Sequence, residues 1–328
     1  MTPKYDEEIM VKIAQMYYID GNTQSMIAKE LGLSKSSVCI ILSDARDYGI
    51  VEINIKNPKK YNEQLSNEIL SMYGNLKKCF VVPTSINSNN ILTKIIASQG
   101  TYIAEEELAS HSSIGIAWGT TMYEFMHSFN NNNNLHDIQV VPLLGGTNNV
   151  SSEFQLNEMV RKFAEKLHGD PCFIYAPAYA ESLNDRELYM KSKSMQDVAE
   201  KWTNLDAAIV SIGAMPEYYD DHKSFDNKAL LNPFVIKTMF EQDSERAVGD
   251  ICGRRFNIMG KFLDNEHNKK LIAINEDSLT AVKKVICIAT GSHKVLSIIG
   301  GLRTNTIDIL VTDDYTAKSL LEISSMQA

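Results

Sequence analysis

Several short apolar runs in the sequence end in residues suited to holding an anion or a hydroxyl-rich molecule. The run 114–118, closing on Trp118, passes into Gly119, Thr120 and Thr121 ahead of a helical stretch. Backbone N–H groups and two hydroxyls meeting at a helix N-terminus form a cradle for phosphate or carboxylate. The run 140–144 ends in Gly145, Gly146 and Thr147, and the run 207–212 ends in Gly213. The run 285–289 ends in Thr290, Gly291, Ser292, His293 and Lys294, where Lys294 offers a point charge to a phosphate. A single glycine after a strand is more often only a turn. Four such ends in one sheet, with threonines, a serine and a lysine beside them, point to a ligand crevice. Asp250, set between Gly249 and Ile251, either accepts two hydroxyls of a polyol or caps a nearby turn. The seven histidines have no metal-ligand spacing, and only His293 falls at one of these loops. The five cysteines form no Cys-x-x-Cys pair, so no metal or cofactor is expected and the thiols read as reduced, buried and inert.

A second constellation lies near the N-terminus. Apolar residues between 6 and 18 recur at helical spacing, and Asp20, Gly21 and Asn22 stop that helix. Thr23 is a good N-cap for a second helix, and Gly32, Leu33 and Ser34 form a tight turn into a third. Counted from Gln24, a small residue (Ala28), a glycine (Gly32) and two branched aliphatics (Val38, Ile41) take the fifth, ninth, fifteenth and eighteenth places. The small side chain lets two helices cross closely, the glycine takes positive φ, and the aliphatics seal the hairpin. Any helical hairpin contains Ala and Gly somewhere, but four coincident constraints behind a preceding helix point to a helix-turn-helix. The candidate contacts to duplex DNA are Thr23, Gln24, Lys35, Ser36, Ser37, Ile40 and Arg46, with the second helix of the motif in the major groove.

The elements that position these groups follow from length and pattern. A chain of 328 residues with 44% hydrophobic and 22% charged residues is long enough for two globular units, and its composition excludes disordered, collagen-like and disulfide-scaffold proteins. No apolar run approaches the ~20 residues of a membrane span, and the N-terminus lacks a signal-peptide pattern, so no membrane partner and a cytoplasmic location are expected. The net charge of −9 argues against nucleic acid, yet residues 1–60 hold eight basic and eight acidic side chains. The acidity therefore belongs to the remainder. Residues 50–55 alternate like a strand before the basic loop 56–60, which is either a wing on a phosphate or a solvated turn. Residues 61–78 read as a helix with Leu65, Ile69, Leu70, Met72 and Tyr73 on one side. From 79 onward, continuous apolar runs (79–82, 114–118, 140–144, 173–176, 207–212, 285–289, 307–311) alternate with helices, which predicts a mainly parallel sheet covered on both faces. Residues 257–260 read as a hairpin turn, and the asparagine run 130–134 as a surface loop. The expected organisation is a DNA-binding domain over 1–57, a linker helix over 58–78 and a ligand-binding and oligomerisation domain over 79–328.

From end to end the chain resembles the SorC family of bacterial sugar-responsive transcriptional regulators. The likeness lies in residues 17–51 of the helix-turn-helix, and in 115–120, 141–146, 209–213, 247–252 and 309–313 of the large part, with 249–252 and 141–146 nearest to a sorbose-operon regulator. The resemblance implies a tetrameric repressor or activator of a carbohydrate operon, with an α/β domain like sugar-phosphate isomerases. Its DNA affinity would change when a sugar or sugar phosphate binds. By that similarity Gly119, Thr120 and Lys294 hold the phosphate and Asp250 the sugar hydroxyls. Deoxyribose-phosphate-responsive members carry a Schiff-base lysine before the double glycine; Leu144 stands there, so no covalent adduct is expected. The rival reading is an isomerase, which needs a general base beside the reacting carbon. Asp250, Glu181, Asp313, Asp314 and His293 are candidates, but no pair is spaced to compel it, an isomerase has no use for a helix-turn-helix, and no catalytic residue is assigned.

Overall fold

The computed structural model describes residues 5–51, 61–85, 88–130, 135–147, 154–215 and 246–325. The chain divides into two compact units, 1–58 and 59–328. In the first, α1 (Glu7–Ala14) runs into a π-helical turn, Gln15–Ile19. α2 (Gln24–Leu31) and α3 (Lys35–Asp47) follow. The capping residues set the boundaries. Thr23 Oγ1 accepts from the Met26 N–H at 3.3 Å, and Ser34 Oγ from the Ser37 N–H at 3.0 Å. Gly32 ends α2 with φ +64°, the left-handed conformation the spacing requires. Ile27, Ala28, Val38, Ile41, Leu42 and Ala45 are buried against Met10, Ile13 and Met16, so this three-helix unit has its own apolar core. The alternating segment and basic loop at 52–60 lie outside the described residues.

The second unit is built on a seven-stranded, all-parallel sheet. In chain order its strands are β1 (Lys78–Val82), β2 (Ser113–Ile116), β3 (Gln139–Pro142), β4 (Asp170–Pro171), β5 (Ala207–Val210), β9 (Val285–Ile288) and β10 (Ile309–Asp313). In space the order is β1-β10-β9-β5-β2-β3-β4. Such sheets bury both faces, and β5, β9 and β10 are buried at every residue. Helices cover the faces, including α5 (Asn89–Glu107) and α6 (Thr120–Ser128). A small antiparallel sheet is formed by β6 (Ile212–Ala214), β7 (Gly249–Ile251) and β8 (Arg254–Phe256).

Three sequence expectations change. The helix α4 (Glu63–Met72) is no separate linker. Leu65, Ile69 and Tyr73 are buried in the core of the large unit, where α4 packs on β1 and on the last helix, Asp314–Ser325. The run 173–176 is not a strand. Only Asp170 and Pro171 join β3; the Cys172 N–H makes the last bond to it, to Val140 O at 2.8 Å, and at Ile174 the Asn157 side chain takes both backbone groups, its Oδ1 accepting from the N–H at 3.0 Å and its Nδ2 donating to the carbonyl at 2.9 Å. The hairpin occurs twice: the unforeseen turn at Cys252 and Gly253 joins β7 to β8, and the expected one at 257–260 returns the chain to the Phe256–Phe262 bridge. Residues 131–134 of the asparagine run lie outside the described residues. No described helix is long and apolar enough to cross a membrane.

Candidate effector and DNA sites

In sheet order the chain's direction of travel reverses between β2 and β5, and ligands of open parallel sheets bind beyond the strands' carboxyl ends at such a point. A cavity of about 610 Å³ opens there. Its walls include Trp118, Gly119, Thr120 and Thr121 after β2, Gly145 and Gly146 after β3, and Gly213 in β6. Asp250 and Lys294 complete it from β7 and from the turn after β9. The structure thus brings together nine of the eleven effector residues expected from sequence. Gly291 and Ser292 do not line the cavity. Gly291 is buried with φ +109°, and its N–H donates to Thr316 Oγ1 at 2.9 Å, so this turn anchors the loop that delivers Lys294.

Each cavity group has a structural reason for its place. Gly119 precedes α6 with φ +134°, and no side chain caps that helix, so its first N–H groups face the cavity end of β2. Asp250 lies opposite Gly213 in the β6–β7 register. A Cβ on Gly213 would sit 2.1 Å from Asp250 Oδ1, so only glycine leaves room for this carboxylate. Asp250 Oδ2 accepts from the Gly253 N–H at 2.9 Å. Burial pushes the Asp250 carboxyl up, while that N–H and the charge of Lys294 pull the other way. Burial lowers the Lys294 ammonium, with Cys287 and Asp250 opposing. Lys294 closes no ion pair with Asp250 or with any other described residue.

Sequence reading missed the opposite wall. Tyr179 lines the cavity, its hydroxyl donates to Gly253 O at 3.2 Å and lies 2.9 Å from His267 Nε2, and burial then Asp250 push its phenol up to about 12. Ser211 also lines the cavity, and its buried Oγ has no hydrogen-bond partner among the described residues. Leu144, at the position of the Schiff-base lysine, presents an alkyl side chain to the cavity. Of the candidate bases, Asp313 is fully buried and consumed as a cap, accepting from the Tyr315 and Thr316 N–H groups at 2.9 Å and from the hydroxyls of Thr290 and Thr316. Asp314 accepts from the Thr84 N–H at 3.0 Å, His293 faces Asn89, and neither these nor Glu181 line the cavity.

In the first unit, Lys35, Ser36, Ile40 and Arg46 are exposed on α3. At ~100° per residue, Lys35, Cys39 and Arg46 fall within about 40° of one another, with Ser36 and Ile40 on the same half of the helix and Val38, Ile41, Leu42 and Ala45 on the other. Ser37 is half-buried and its Oγ lies 2.8 Å from Ser34 Oγ, so it supports the cap rather than standing free. Thr23 is exposed at the α2 N-cap and Gln24 half-buried beside it. Cys39 is exposed, contrary to the expectation of uniformly buried thiols, because its helical phase points away from the core; Cys79, Cys252 and Cys287 are buried and Cys172 partly so.

An exposed-helix helix-turn-helix joined to a parallel-sheet domain with a polar cavity defines the class of ligand-responsive DNA-binding regulators. Residues 59–322 match the family described as "Putative sugar-binding domain", and the chain belongs to this family. It is 27% identical to the sorbitol operon regulator of Klebsiella pneumoniae over 97% of this chain and 98% of that one. It is 24% identical to the deoxyribonucleoside regulator of Bacillus subtilis (strain 168), over 96% and 97%. The crystal structure of the full-length Klebsiella regulator SorC superposes with a TM-score of 0.69 at 26% identity, covering 97% of this chain and 100% of that one. These relatives are named as regulators, and the chain is a transcriptional regulator with a sugar-binding domain.

Proposed function

We propose that the effector is a sugar or polyol carrying an anionic group, a sugar phosphate above all, and that its binding alters operator affinity. The observation that carries this reading is Lys294: a cation without an ion pair among the described residues, lining the same cavity as the uncapped N-terminus of α6 and the carboxylate of Asp250. The first two suit an anion, and Asp250 with the unpartnered Ser211 suits hydroxyls. With Leu144 in the cavity wall, binding is non-covalent. A thermal-shift screen of sugars, polyols and their phosphates tests the class, since a ligand that binds only the native state raises the melting temperature. Lys294→Ala is expected to weaken a phosphorylated effector by ~1.5 to 3 kcal/mol, the scale of hydrogen bonds to charged groups, and to leave its uncharged parent nearly unchanged. The wild-type affinity for the phosphate should fall as pH rises through the lowered pKa of Lys294, because a neutral amine offers no charge. Equal losses for both ligands in calorimetric titrations would reject a phosphate-reading role.

On the DNA side, Thr23, Gln24, Lys35, Ser36, Ser37, Ile40 and Arg46 remain the proposed contact set, with Ser37 also serving the α3 cap. Ser36→Glu is the cleaner test. A carboxylate in the first turn of α3 favours the helix dipole, so folding should hold, yet it sets like charge against the groove. Operator affinity in a gel-shift titration at fixed salt should drop by about tenfold or more, and an unchanged value would remove α3 from the groove. A neutral DNA-binding unit gains little from phosphates alone, so we take the working form to be a dimer or tetramer held by the large unit. Sedimentation finding a monomer at operator-saturating concentration would refute that.

A further inference from the structure

At the amino ends of the strands, the opposite end from the effector cavity, three side chains converge that the regulator function does not use. His111 stands just before β2, and His136 and Asp137 just before β3. The ring nitrogens His111 Nδ1 and His136 Nδ1 lie 3.3 and 3.1 Å from the same oxygen, Asp137 Oδ2. All three ligand atoms lie within 4.8 Å of one another, and each residue is exposed. Tetrahedral bonds of about 2.0–2.1 Å to a zinc ion place neighbouring ligand atoms about 3.4 Å apart, so two of the three edges already have that length. We propose that His111, His136 and Asp137 bind one divalent transition-metal ion per chain, zinc being the representative, with the remaining position open to solvent.

The backbone holds this arrangement. The His111 N–H donates to His136 O at 3.0 Å, the His136 N–H to Ser110 Oγ at 3.2 Å, and the Gln139 N–H to Ser112 O at 2.9 Å. Two strand-entry turns are thereby tied together before any ion arrives. His111 (φ +58°) and Asp137 (φ +54°) both occupy the left-handed region, uncommon for residues other than glycine, and it is this geometry that turns their side chains toward one another. Two imidazoles and a carboxylate favour zinc, nickel or copper over magnesium and calcium, which prefer all-oxygen sites. The cluster is invisible in the sequence because its members are far apart until β2 and β3 pair.

Isothermal titration of tag-free, full-length protein with zinc chloride tests the site, with magnesium chloride as comparison. His111→Asn and Asp137→Asn are the variants of choice, since asparagine tolerates the left-handed backbone and should leave the metal-free melting temperature unchanged. The expected result is one zinc site per chain, no magnesium binding, and a loss of affinity of tenfold or more in each variant. Cobalt substitution separates this cluster from the exposed Cys39: the spectrum should lack thiolate-to-cobalt charge transfer. Zinc binding unchanged in both variants, a thiolate band, or no zinc binding by the wild type would overturn the assignment.

Discussion

Asp313→Ala is expected to destabilise the large unit by roughly 3–5 kcal/mol, since hydrogen bonds to a charged group are worth ~1.5 to 3 kcal/mol each and relaxation recovers part of the loss. The carboxylate is fully buried at the end of β10, where the last helix begins. It accepts from two backbone N–H groups and from the hydroxyls of Thr290 and Thr316. Truncation strands those four donors together, and through Thr316 it loosens the Gly291 N–H that fixes the loop leading to Lys294. Asp313→Asn keeps one oxygen for the two backbone donors and should lie between wild type and alanine. A catalytic base would behave differently, with asparagine abolishing turnover at little cost in stability. Thermal denaturation decides: an alanine variant melting with the wild type would mean that the network carries no weight.

The elements recoverable from sequence are those whose causes are local. The first unit is legible because Thr23 and Ser34 cap their helices, Gly32 takes positive φ, and the period of Val38, Ile41 and Ala45 marks the buried face. Strands β1, β2, β3, β5, β9 and β10 are legible because burial on both faces leaves continuous apolar runs. The strand-end loops followed, since a parallel sheet delivers all its carboxyl ends to one side. What sequence could not supply is pairing. Nothing local places Tyr179 at the cavity; distant backbone partners do so, with the Ala180 N–H donating to Lys270 O, the Ile272 N–H to Ala178 O and the Ala178 N–H to Gly146 O. The run 173–176 reads as a strand by composition, but the Asn157 side chain, 17 positions away, takes the N–H and carbonyl of Ile174 that a ladder would need. Gly291 and Ser292 look like ligand residues beside Lys294, yet Gly291 is held by a hydroxyl 25 positions away. The same limit hid the packing of α4, whose apolar face reads equally as a linker, an oligomer contact or a core helix until its partners are known.

The second large effect is expected from the smallest substitution. Gly213 and Asp250 face each other across β6 and β7, and a methyl group at 213 would meet Asp250 Oδ1 at 2.1 Å and Cγ at 3.0 Å. Gly213 does not have positive φ, so alanine suits its backbone and steric exclusion is the whole of the cost. Asp250 would have to swing away, breaking its bond to the Gly253 N–H and leaving the position from which we propose that it reads effector hydroxyls. Gly213→Ala should therefore weaken the effector about as much as Asp250→Ala does, by ~1.5 to 3 kcal/mol, although residue 213 has no side-chain group to offer a ligand. The two changes should not add. With Asp250 already truncated the obstruction is gone, and alanine in place of glycine in a strand interior should be neutral or stabilising by up to ~1 kcal/mol. A double-mutant cycle in effector affinity and melting temperature measures this directly. Additive losses would show that Gly213 acts through something other than the Asp250 carboxylate, and that the register of β6 and β7 does not govern what the cavity reads.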